Sequence, residues 1–234
     1  MFSDFRAARR PLDFLNCYVL PGRLHHARLD APAFAPTGAP LLAWQAEGAA
    51  LLCESLSCDV SSVFANIACG AGKSRLIIEI ILRLRKLRCA ILVPAISLLE
   101  QFRCEVELWA PHLSVNLIGG GHSATGDAAI TVCTYHSAHL IERRAFDFVV
   151  VDEAHHVSAE FCETSELGRV HALAIQDLCS SCTSPSLLVS ATLPADVECA
   201  YRYSIEEAVN DCSIVDYHLV IPVFSNGGDR GAGL

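Results

Sequence analysis

Residues 67–74 read Ile67-Ala68-Cys69-Gly70-Ala71-Gly72-Lys73-Ser74. An apolar run precedes them (Val63, Phe64, Ala65) and a helical pattern follows (Leu76, Ile77, Ile80, Ile81, Leu84), so the stretch reads as strand, tight glycine-bearing loop and helix start. That context makes it a phosphate cradle. Gly70 and Gly72 let the backbone wrap around phosphate oxygens, Ala71 stands between them, and the helix N-terminus offers unpaired N–H donors. Lys73 supplies a cation for the terminal phosphates and Ser74 a hydroxyl for Mg²⁺. A helix-terminal field contributes only about 0.3–1 kcal/mol, so converging N–H groups and Lys73 must supply most of the affinity. The longer form of this loop has a glycine where Ile67 stands, so the match is to the shorter Ala-x-Gly-x-Gly-Lys-Ser form.

The chain of 234 residues is 52% apolar, ample for a buried core in one large domain. A formal net charge of −9 argues against a broad basic surface built to saturate phosphate backbones, so any nucleic-acid contact must be local. Twelve cysteines are scattered, two of them (Cys89, Cys133) inside apolar strand-like runs, and read as reduced thiols of an intracellular protein. Arg9-Arg10 before Pro11-Leu12-Asp13-Phe14-Leu15 superficially resembles a twin-arginine export signal, but Asp13 and Asn16 interrupt the apolar run. No apolar run approaches the roughly 20 residues needed to cross a bilayer.

Residues 1–38 mix aromatics with Arg and end in a Pro/Ala/Gly stretch, the pattern of an appendage and linker. Residues 224–234 form a Gly-rich tail, expected to be disordered. Between them, residues 39–223 alternate short apolar runs (63–67, 89–93, 130–133, 147–151, 187–190) with helical patterns (41–56, 75–87, 96–109, 166–178). Strands apolar on both faces and alternating with helices predict an α/β fold, a mostly parallel sheet with helices on both faces and its ligands at the strands' carboxyl ends.

The run Phe148-Val149-Val150-Val151 leads into Asp152-Glu153-Ala154-His155-His156. An acid pair at the end of an apolar strand, downstream of a phosphate loop, supplies the other half of a nucleotide hydrolase: Asp152 to hold Mg²⁺, Glu153 to polarise the attacking water. Taken alone, such acids also open helices. A third apolar run ends in Ser190-Ala191-Thr192, hydroxyl residues placed to bond to the acid pair.

Five segments now stand in order: "IACGAGKS", "ILVPAISLLEQF" (from Ile91), "VCTYHSA" (from Val132), "VVVDEAHH" (from Val149) and "SATLP" (from Ser190). In order and spacing they resemble the first RecA-like lobe of superfamily 2 helicases of the DEAD/DEAH type, a P-loop NTPase fold. The resemblance continues into Tyr203–Val209 and Ile214–Tyr217, and "PLLAWQAEG" (from Pro40) is similar to the helix whose glutamine reads adenine.

The resemblance implies ATP and Mg²⁺ as cofactors. Gly70, Ala71, Gly72, Lys73 and Ser74 would bind the triphosphate, Ser74 and Asp152 the metal, and Lys73, Asp152 and Glu153 would carry the chemistry. Gln45 would contact adenine, and Pro94, Ala95, Thr134 and Tyr135 would lie along a nucleic-acid backbone, DNA favoured over RNA. His155, Ser190 and Thr192 would couple hydrolysis to strand movement. The resemblance also implies a second RecA-like lobe carrying an arginine that reaches the transferring phosphoryl group, worth on the order of 10³–10⁵-fold in rate. The chain reaches its Gly-rich tail where that lobe would begin, so the lobe is expected in trans or in sequence missing from this gene product. Two alternatives stand beside the helicase: the motor lobe of a restriction-type DNA translocase, and a non-catalytic ATP-dependent interaction module.

Blander features remain. Arg83, Arg85, Lys86 and Arg88 read as the solvated C-terminal face of a helix. Cys179-Ser180-Ser181-Cys182 has half of a zinc spacing without a second close pair and reads as a loop with free thiols. Trp44 reads as a packing residue rather than a base-stacking one.

Overall fold

The computed structural model describes residues 40–214 apart from 59, 87, 125, 142–145, 158–165, 183–184 and 194–196, with backbone alone at 166–168. The N-terminal appendage, the Gly-rich tail, Pro194 and the continuation beyond Ile214 lie outside the described residues.

Seven strands form one sheet: β1 (Ser62–Ile67), β2 (Cys89–Val93), β3 (Val115–Ile118), β4 (Ile130–Thr134), β5 (Phe148–Asp152), β6 (Ser186–Ser190) and β7 (Tyr201–Tyr203). The helices are α1 (Ala43–Leu56), α2 (Lys73–Leu84), α3 (Ile96–Trp109), α4 (Glu166–Ser181) and α5 (Ile205–Asn210), with 3₁₀ turns at Tyr135–Leu140 and Ala154–Val157. The strand order is β3-β4-β2-β5-β6-β1-β7, and every pairing between these strands is parallel.

Each residue of β2, β4, β5 and β6 is buried, as runs apolar on both faces require. Alternation sorts their side chains into two cores. Ala65, Ile91, Val132 and Val150 face Leu52, Ile77 and Phe102 on one side. Phe64, Leu92, Cys133 and Val151 face Ala138, Ile175 and Leu178 on the other. Ile91, fully buried on the interior strand β2, is a sensitive probe of this packing. Ile91→Ala should lower unfolding stability by about 2–5 kcal/mol with an unchanged denaturant slope, measured by urea titration.

The differences from the sequence expectation have local causes. The strands β3 and β7 escape the periodicity because they are short edge strands carrying Asn116 and Arg202. The phosphate-loop helix starts at Lys73, directly after Gly72, and ends at Leu84, where Arg85 turns left-handed at φ 51°. Of the basic cluster, therefore, only Arg83 sits in the last helical turn, where it pairs with Glu79 at 2.8 Å. Helix α4 runs through Ser181, so Cys179 is a buried helical thiol rather than a loop residue. The described cysteines are thiols, none of them in a disulfide. Trp44 is buried and stacks on Tyr203 with ring centroids 4.4 Å apart.

In an all-parallel sheet every carboxyl end lies on the same edge. The order β4-β2-β5-β6-β1 then sets the motifs in a row along it: Thr134-Tyr135, Pro94-Ala95, Asp152-Glu153, Ser190 to Thr192, and the phosphate loop.

Candidate active site

The loop leaves β1 at Ile67 and is tied to β7 by the Ala68 amide, which donates to the Tyr203 carbonyl at 2.9 Å. Gly70 (φ 77°) and Gly72 (φ 100°) adopt left-handed conformations that a side chain resists. At Gly72 space adds a second reason, because a Cβ would lie 2.9 Å from Gln45 Nε2. Gly72 is also the N-cap of α2, and no side chain caps that terminus, so the first amides of the helix are left for an anion. Gln45, buried on α1, donates from Nε2 to the Gly72 carbonyl at 3.2 Å and accepts the Leu42 amide on Oε1 at 3.1 Å. It braces the loop from behind.

Lys73 crosses the row to the acid pair, its Nζ 2.5 Å from Glu153 Oε1, both side chains mostly buried. Glu153 has φ 54°, left-handed backbone rare for a residue with a side chain. Asp152, the last residue of β5, is buried and its Oδ1 has no hydrogen-bond partner. Burial pushes its carboxyl up to about 6, helped by Glu153 and opposed by Lys73 and a backbone hydrogen bond. An orphaned buried carboxylate oxygen, two left-handed glycines and a cation held beside them fit a magnesium-bearing nucleotide.

The raised carboxyl has a consequence for stability. In the unfolded chain Asp152 ionises near 3.8, while in the fold it holds its proton to about 6. Between those values the folded state binds the extra proton, so stability falls as pH rises through the window. The nucleotide-free chain should therefore lose on the order of 3 kcal/mol from this group between the two values. Asp152→Asn should remove that part of the slope, measured as the difference between urea titrations of the two proteins across the window.

His155 Nδ1 lies 2.8 Å from Ser190 Oγ and 3.5 Å from Glu153 Oε2, spanning β5 and β6. Burial, then His156, lowers its pKa. Ser190 Oγ also accepts the Thr192 amide at 3.2 Å, leaving the Thr192 side chain exposed. Lys73, Glu153, His155 and Ser190 are thus one connected chain of polar contacts.

The other end of the row departs from expectation. Ala95 is exposed and Pro94 half-buried, but the side chains of Thr134 and Tyr135 point into the protein. Thr134 donates to Ser137 Oγ at 3.1 Å, and the Tyr135 hydroxyl donates to the Asp152 carbonyl. Of the four residues expected along a nucleic-acid backbone, these two therefore have buried side chains and Ala95 is exposed.

One residue escaped the sequence reading. Asn66 lies opposite both Ser190 and Arg202 in the sheet, and with its amide turned to the orientation that satisfies its neighbours it donates to the Ala191 carbonyl at 3.1 Å and accepts from Arg202 at 2.8 Å. It holds the Ser190–Thr192 turn from the phosphate-loop strand. The available signal was a lone amide inside the apolar run of β1.

The parallel sheet with this row at its carboxyl edge defines the first RecA-like lobe of a superfamily 2 helicase core. More than half of the chain, residues 39–194, matches the family described as the type III restriction enzyme, res subunit. The chain belongs to that family. Among solved structures it is similar to the Sulfolobus solfataricus SWI2/SNF2 ATPase core in complex with dsDNA, with 18% identity and a TM-score of 0.55 over 66% of this chain and 32% of that one. A nuclease-deletion mutant of the Type ISP restriction-modification enzyme LlaGI, in complex with a DNA substrate mimic, shares 17% identity at a TM-score of 0.52, covering 75% of this chain and 21% of that one. A hypothetical ATP-dependent RNA helicase from Sulfolobus tokodaii shares 18% identity at 0.52, covering 78% and 53%. These likenesses are of fold, and the chain spans between about a fifth and about half the length of these structures. No curated protein matches. Among the described residues no helix is long and apolar enough to cross a membrane.

Proposed function

We propose that residues 39–223 are the ATP-binding lobe of a nucleic-acid-dependent motor, hydrolysing ATP with Mg²⁺ and coupling that step to DNA movement inside the cell. The observation that carries this is the Lys73–Glu153 ion pair, set beside the unpartnered Asp152 Oδ1 and the glycine cradle. Bound Mg²⁺ would neutralise the triphosphate and polarise the bond to its terminal phosphoryl group. The chain's own residues do the rest. The amides of the loop and of the first turn of α2 orient the phosphates, while Ser74 and Asp152 hold the metal. Lys73 exchanges Glu153 for phosphate oxygens, and Glu153, released, accepts a proton from the attacking water. Its change of partner reaches Ser190 through His155, and so the turn at Ala191-Thr192. Gln45 braces Gly72 where the sequence resemblance puts adenine recognition.

The test is ATP turnover by the purified chain with single- and double-stranded DNA and RNA, Lys73→Ala serving as blank. Turnover above the blank, stimulated most by DNA, is expected, slow unless a second lobe is supplied. Intact ATP binding with no turnover in any mixture would favour the interaction-module reading instead. The family match and the likeness to LlaGI favour, within the motor class, a restriction-type translocase. Stimulation by duplex DNA without strand separation would select it.

A further inference from the structure

The Tyr135 ring belongs to the core beneath the acid pair, packed with Ala138, Ala154 and Val157, and its hydroxyl donates to the Asp152 carbonyl. That oxygen belongs to the peptide joining Asp152 to Glu153. The orientation of this peptide is set by the rotation on either side of it, and on the Glu153 side that rotation is left-handed at φ 54°. A residue with a side chain keeps such a conformation only where its surroundings over-determine it. Tyr135 grips the carbonyl end of the peptide from a different strand, while the Asp152 carboxyl holds its amide. The phenol O–H is the donor in this contact, because the carbonyl oxygen it meets can only accept.

We propose that Tyr135 is a positioning residue for the acid pair: by holding the Asp152–Glu153 peptide, it aims the Asp152 carboxylate at the metal position and Glu153 at Lys73. This rests on the reading of Asp152 as metal holder and Glu153 as base. Tyr135 follows Thr134 at the carboxyl end of β4 and opens the 3₁₀ turn Tyr135–Leu140, whose His136, His139 and Leu140 are exposed. A ligand that shifts this turn therefore reaches the acid pair through a single hydrogen bond. The position ties the outer end of the row to its catalytic middle.

Tyr135→Phe removes the hydroxyl and leaves the ring. The experiment compares the full-length wild-type and variant chains, titrating a fluorescent ATP analogue in EDTA and then at increasing Mg²⁺, and follows single-turnover ATP hydrolysis with enzyme in excess. The variant should bind the analogue in EDTA within about two-fold of wild type, yet need about 10-fold more Mg²⁺ for half of the metal-dependent gain in affinity. Its single-turnover rate should fall by about 10-fold or more, as when a supporting hydrogen bond behind a reacting group is lost. A merely structural hydroxyl would change affinity equally with and without Mg²⁺, or change neither, and either result overturns the proposal. A wild-type chain that binds no analogue, or gains nothing from Mg²⁺, would instead overturn the reading of the acid pair, and the role of Tyr135 with it.

Discussion

Lys73→Ala should abolish measurable ATP binding, the largest effect expected of any single change in this chain. Two losses add. The ammonium that would meet the terminal phosphates disappears, and charge-assisted hydrogen bonds of that kind are worth about 1.5–3 kcal/mol each. Glu153, whose partner Lys73 is at 2.5 Å, is also left unpaired beside the buried Asp152. The Glu153 carboxylate then faces an incoming polyanion without the cation that balanced it. A weakening of at least about 100-fold follows, measured by calorimetry with ATP and Mg²⁺. Wild-type affinity in this variant would sink the assignment of residues 67–74 to phosphate.

Glu153→Gln should have nearly as large an effect on rate with the opposite effect on binding. The amide cannot accept the proton of the attacking water, so turnover should fall by about 10²–10⁴-fold, the usual contribution of a positioned base. The substitution also frees Lys73 from its ion pair. ATP then no longer competes with a carboxylate for that cation, and the affinity should be preserved or should rise. Equilibrium binding and single-turnover hydrolysis on the same preparation separate the two effects. Loss of binding with Glu153→Gln would reverse the division of roles between Asp152 and Glu153.

Much of this site was legible before any fold was known because its elements are local. A glycine two residues before Gly72, and Lys73-Ser74 after it, specify a loop conformation within eight residues. The five β-strand runs found by periodicity are those buried on both faces or nearly so. What escaped lies at edges and in pairings. Both β3 and β7 are short, and in β7 only Tyr201 and Tyr203 point inward. That the side chains of Thr134 and Tyr135 turn inward was not legible either, because the spacing of a motif says which residues belong together, not which way their side chains face.

The sequence by itself determined the α/β class, the glycine loop between β1 and α2 and the acid pair at the end of β5, since backbone freedom at glycine and strand periodicity act over a few neighbouring residues. Only the tertiary structure decided which motifs touch. The order β5-β6-β1 brings Glu153 to Lys73 across 80 residues of chain and sets His155 against Ser190. The place of β4 in the sheet turns Tyr135 inward to the Asp152 carbonyl, and Asn66 meets Ala191 only because β1 lies beside β6. Such contacts depend on strand order, which follows from how the whole apolar surface is buried and not from any segment read alone.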